Sequence, residues 1–157
     1  MQVNTISYYE ENAKSLISRY ESADINEVQE LLLQTFYKNS KLFHKTLPID
    51  LEFNQKFDGI YSIATLMHLS KNDLEETISK IYNLLNQNGK FLMSVSLFRD
   101  DIDKNSFDDK GRFFLVLSFD EWINLLEKIG FKILDTKTNS DGLGRDGIEW
   151  LTLVAQK

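Results

Sequence analysis

Between Phe57 and Lys157 the apolar residues change their spacing several times, and the order of those changes constrains the fold more than any other feature. FDGIYSIATL carries an apolar, β-branched and small run suited to a strand covered on both faces. SKNDLEETISKIYNLLNQNG then repeats at helical spacing. Ser70 or Asn72 is its cap, Leu74, Ile78, Ile81 and Leu85 its buried stripe, and Gly89 its stop. KFLMSVSLF predicts a second strand. Ser118 and Glu121 form a capping box for a helix through Trp122, Leu125, Leu126 and Ile129, ended by Gly130. FKILDTKT and IEWLTLVAQK flank the turn-forming NSDGLGRDG and pair as a hairpin, one strand antiparallel to the rest. Strand, helix, strand, helix, strand, strand implies an α/β sheet with a mixed edge.

Upstream, Ile6, Tyr9, Ala13, Leu16, Ile17 and Tyr20 recur at three- and four-residue steps and line one helix face. Asp24 and Glu27 open a second helix whose stripe is Ile25, Val28, Leu31, Leu32 and Phe36. Lys38 to Lys56 is loop-rich, with LFHKT as a possible short strand and Pro48 disfavouring helix at the residue before it. A chain of 157 residues fits one domain, here a helical cap over residues 1–36 and an α/β core over 57–157. Hydrophobic residues at 42% and charged residues at 27% exclude wholesale disorder.

Acidic residues outnumber basic ones 24 to 18, giving a net charge of −6, which opposes binding to nucleic acid or to an anionic membrane surface. No cysteine is present, so disulfides, thiol catalysis and thiolate metal sites are excluded and a reducing, cytoplasmic setting is expected. The first residues lack a secretory signal, and no apolar run reaches the ~20 residues a membrane helix needs.

In wording and order, the second half resembles the carboxy-terminal half of a class I S-adenosylmethionine-dependent methyltransferase. FDGIYSIATLMHL stands where that family has its fourth strand, LLNQNGKFLMSVS the turn and fifth strand, and GFKILDTKTNSDGLGRDGIEWLTLVAQK the closing hairpin. The resemblance implies a truncated Rossmann-like sheet of four or five strands behind two or three helices, with a helical amino-terminal cap. It also exposes an absence. Where the family has a first strand, a glycine-rich turn and an acidic second-strand end, LLLQTF runs into YKNSKLF. A strand-helix-strand unit takes roughly 30 residues, more than the interval from Phe36 to Phe57 holds beside its own connection. Without the glycine turn, side chains block backbone approach to the cofactor, and without the carboxylate the ribose loses its acceptor. The expectation is an internal loss, no cofactor bound, and an uncovered edge on the FDGIYSI strand, filled by LFHKT or by a second copy in a homodimer.

Several residue groups are of types that carry chemistry. Gly142 to Gly147 matches a dinucleotide fingerprint literally, but a strand rather than a helix follows, so it is a hairpin loop. Asp101, Asp103 and Asn105 open like a calcium loop, but Ser106 and Arg112 stand where glycine and glutamate are required. His68, at the end of the first strand run, is the candidate base, against a plain role in orienting the next helix. Arg112 and Arg145 are candidates for holding substrate, against pairing with Asp108, Asp109, Asp141 or Asp146. Trp122 and Trp150 are expected in the core.

The functional expectation is a degenerate, non-catalytic methyltransferase-like protein of immunity or regulatory type. It would bind a basic protein, or a complete methyltransferase relative, through Asp100, Asp101 and Asp103. The alternative is an active methyltransferase using S-adenosylmethionine at a shared or unusual site.

Overall fold

Phe43 and residues 45–157 are described by a computed structural model. Both helices expected in residues 1–36 lie outside the described residues. So do Leu42 and His44 of LFHKT, while Phe43, Lys45 and Thr46 form no strand.

The alternation in FDGIYSI becomes strand β1, Phe57–Ile63, and a single 3-10 turn, Leu66–His68, follows it. Helix α1 is Lys71–Leu84, with the Ser70 hydroxyl accepting from the Asp73 amide. Strand β2 is Leu85–Arg99, helix α2 is Phe119–Ile129, and β3, Lys132–Ser140, and β4, Ile148–Gln156, close the chain. The sheet order is β1-β2-β4-β3. β1 runs parallel to β2, and β4 is antiparallel to both of its neighbours, so it is the reversed strand that the hairpin predicts.

Pairing in register sorts the side chains into two faces. Ile60, Phe91, Ala155 and Ile133 form one cross-sheet row, and Met93 and Leu153 belong to the next. These rows face α1 and α2, meeting Leu74, Ile78, Ile81, Trp122 and Leu126 in one core. Burying each such side chain contributes about 1.5–3 kcal/mol. The alternate row, Tyr61, Leu92 and Val154, points the other way. There Tyr61 is 78% exposed and Ile63 53% exposed. Among the described residues, helices cover strand β1 on one face, where its composition predicts cover on both; the two helices expected in residues 1–36 lie outside the described residues.

Helix α1 also ends earlier than its sequence predicts. Leu85 turns extended and pairs with Phe57, so the last four residues before Gly89 belong to a bulged start of β2. Two features replace the glycine stop. Lys157 Nζ donates to the carbonyls of Tyr82 and Leu85, satisfying the helix end, and Asn88 takes the left-handed conformation. Gly89 serves close approach instead, since a Cβ there would lie 2.9 Å from the Asn86 carbonyl. The α2 boundaries match expectation. Ser118 and Glu121 cap each other's backbone, and Gly130 closes the helix at φ 117°.

Candidate functional site

The parallel strands β1 and β2 end at the same side of the sheet, which is where ligands sit in open α/β sheets. A cavity of about 480 Å³ opens there, between the ends of β1 to β3, the start of β4 and two loops. All three residues singled out in the sequence for catalysis or substrate, His68, Arg112 and Arg145, line it. A third arginine that the sequence reading missed, Arg99 at the end of β2, joins them.

Two of these arginines are presented by the same local device. Asp108-Asp109-Lys110-Gly111-Arg112 and Asp141-Gly142-Leu143-Gly144-Arg145 both follow the pattern Asp-x-x-Gly-Arg. In each, the glycine amide donates to the aspartate carbonyl at 3.0 Å, with the glycine at φ 74° and 69° respectively. The aspartate side chain accepts from the amide two residues on, at 3.0 Å in both loops. It also accepts from the arginine's own amide, at 2.8 Å and 3.3 Å. Finally it takes the guanidinium: Arg112 Nε lies 2.7 Å from Asp108, and Arg145 Nη2 lies 2.7 Å from Asp141. Trp150 Nε1 adds a fifth bond to Asp141, at 2.9 Å. Trp150 is thus only partly in the core, and its indole belongs to the cavity wall.

Arg99 is held differently. Its Nε donates to Asp101 at 2.8 Å, and its guanidinium stacks on Phe114 at 3.8 Å from the ring centroid. Its side chain is 2% exposed and that of Arg112 is 14% exposed. His68 lies in the 3-10 turn with its ring 4.6 Å from that of Phe114, and its Nδ1 is 2.7 Å from the Phe113 carbonyl. A carbonyl only accepts, so Nδ1 carries the proton and Nε2 the lone pair.

These contacts set the charges. Burial, above all, lowers the His68 pKa, with Arg112 and Arg99 lowering it further against the opposing Phe113 and Asp108 interactions, so the ring is neutral near pH 7. The Arg145 guanidinium and the Trp150 N–H hold the Asp141 carboxyl far below the usual carboxylate range, although its burial opposes this. Asp108 is also lowered, Arg112 outweighing the opposing effect of burial.

The acidic loop candidates are partly engaged within the fold. Asp101 pairs with Arg99, Asp103 accepts from the amides of Asn105 and Phe107, and Asp100 donates its amide to the Gly147 carbonyl. Among the described residues, no group of three histidines or acids is placed to hold a metal. No helix among them is long and apolar enough to cross a membrane.

A family model described as a methyltransferase domain matches residues 4–93, which is 90 of 157 residues. This chain belongs to that methyltransferase family. No curated protein matches the sequence. Among solved structures, the chain is similar to Burkholderia thailandensis 1,6-didemethyltoxoflavin-N1-methyltransferase bound to 1,6-didemethyltoxoflavin and S-adenosylhomocysteine. The TM-score is 0.55 at 22% identity, over 68% of this chain and 46% of that one. It is similar to an S-adenosylmethionine-dependent methyltransferase of Methanosarcina mazei at TM-score 0.54 and 12% identity, covering 68% and 63% of the two chains. It is also similar to the [4+2]-cyclase SpnF, at TM-score 0.51 and 13% identity, covering 68% and 54%. At these identities the likeness is one of fold. The methyltransferase-family chain spans roughly half to three fifths of the length of these proteins. Its mixed α/β sheet, four-stranded among the described residues, is a Rossmann-like methyltransferase sheet.

Proposed function

We propose that this methyltransferase-family domain keeps the acceptor side of the site without a donor side, and acts by binding rather than by methyl transfer. The observation that carries this reading is where the glycines fall. All seven lie at Gly59 or beyond, so the sequence before β1 has no position at which backbone can press against the methionine part of S-adenosylmethionine. The tightly surrounded glycines offer no substitute. A Cβ at Gly89, Gly130 or Gly147 would meet Asn86, Tyr82 or Asp100 of this chain, so the space beside each is already filled. The residues present do not fit the cofactor.

The arginine-lined cavity, in contrast, is a fully built pocket at the ligand-binding end of the sheet. In its broader form the reading is a regulatory or immunity-type protein. The net charge of −6 favours encounter with a basic partner or a complete methyltransferase relative, and Asp100, Asp101 and Asp103 are exposed residues that such a partner would meet. A second reading, an active enzyme with a site shared between two copies, is favoured by one observation. Among the described strands β1 pairs only with β2, and an edge strand is where another chain can add.

Calorimetric titration with S-adenosylmethionine and S-adenosylhomocysteine, on protein stripped of carried-over ligand, tests the first reading. No saturable heat is expected, and micromolar binding overturns it.

A further inference from the structure

Two of the three cavity arginines, Arg99 and Arg112, face it without the carboxylates that hold them. Of the carboxylates that hold all three, only Asp141 lines the cavity, whereas Asp101 and Asp108 do not. The lining therefore carries three guanidinium groups and one carboxylate. The guanidinium groups are also costly to place, because taking a charge out of water is expensive unless it is paired and hydrogen-bonded. Here that cost is met by the two matched Asp-x-x-Gly-Arg turns and by Phe114, which Arg99 and Arg112 both approach, at 3.8 Å and 5.3 Å. Folding thus fixes the arginines before any ligand arrives, which is what makes a guanidinium an efficient clamp for a planar anion.

The rest of the wall is mixed, with Ser94, Asn139 and Thr152 beside an apolar and aromatic part. Ile63, Leu143, Phe114 and the ring of Trp150 share the cavity with the arginines. Its volume of about 480 Å³ lies within the range of small-molecule sites.

We propose that this cavity binds a small organic anion, a carboxylate carried on an apolar or aromatic body, with Arg99, Arg112 and Arg145 around the charge and Trp150 and Leu143 against the body. The twin turns reach the cavity from two separate loops, one before α2 and one between β3 and β4, so the charge end is held from two sides. His68 is neutral beside it, so the positive charge of the wall comes from the three guanidinium groups. This inference rests on the acceptor-side reading above and names its ligand class.

The probe is benzoate, titrated calorimetrically into the full chain beside benzamide, which has the same shape without the charge, and inorganic phosphate, which has charge without the apolar body. Saturable benzoate binding is expected, with benzamide and phosphate each at least tenfold weaker. A paired variant, Asp141→Asn with Arg145→Gln, avoids leaving one buried charge alone, and it is expected to weaken benzoate at least tenfold while retaining the wild-type circular dichroism spectrum. Absence of benzoate binding at 10 mM on the order-of-magnitude scale of weak small-ligand sites overturns the proposal. So does benzamide or phosphate binding as tightly as benzoate, or a folded paired variant that binds it unchanged. Each of these outcomes removes the ligand class alone, whereas donor binding in the calorimetric test above removes the underlying reading.

Discussion

Asp141 is the residue on which most of the cavity wall depends, because one buried carboxylate organises a turn, an arginine and an indole. Replacing it with Asn leaves Arg145 without a full counterion, and Arg145 is about one-third exposed, so the loss belongs near the low end for a buried pair. Asp141→Asn is expected to lose about 2–3 kcal/mol at pH 7 in urea unfolding. The sign of the pH dependence follows from the lowered carboxyl. Its contribution is present above the unfolded value of 3.8 and is lost as the pH falls below it, so the gap between wild type and variant narrows below about pH 4. His68 behaves analogously at higher pH. Its folded pKa lies below 6.5, so unfolded chains take up the proton first and stability falls as the pH drops from 7 toward 5. His68→Gln is expected to flatten that limb, and an NMR titration of the ring is expected to give a midpoint below 6.5. A midpoint at or above 6.5 contradicts this assignment.

Helix α2 was legible in the sequence because its boundaries are set by local chemistry. Ser118, Glu121 and Gly130 each act within one turn of where they stand. Ser118→Ala is expected to cost about 1 kcal/mol in denaturant unfolding. Gly130→Ala is expected to cost more than that substitution, since φ is 117° and the new methyl would lie 3.0 Å from the Tyr82 hydroxyl. Equal or smaller loss for Gly130→Ala contradicts this ordering. The end of α1 was not legible, because it is decided by Phe57 and Lys157, which are distant in sequence. The cavity lies between these cases. His68, Arg112 and Arg145 stood out as charged or titratable residues in loops, but their convergence is a product of the fold. Arg99 was missed as the last residue of an apolar strand, and the repeated Asp-x-x-Gly-Arg was the signal that went unread.

Among the described residues, the sheet has helices packed on one face, while Tyr61 and Ile63 of β1 are exposed on the other. Light scattering after size exclusion separates the two functional readings. A mass near the 18.3 kDa of one chain is expected for a self-contained binding domain, and twice that mass favours a shared site. Mass does not distinguish the two ends of a ligand site within one fold. Amide chemical-shift mapping during titration with S-adenosylhomocysteine does so directly. The account predicts that the amides from Ile63 to His68, at the mouth of the cavity, stay unmoved through about millimolar ligand. Saturating shifts clustered at those amides, at micromolar concentration, contradict it.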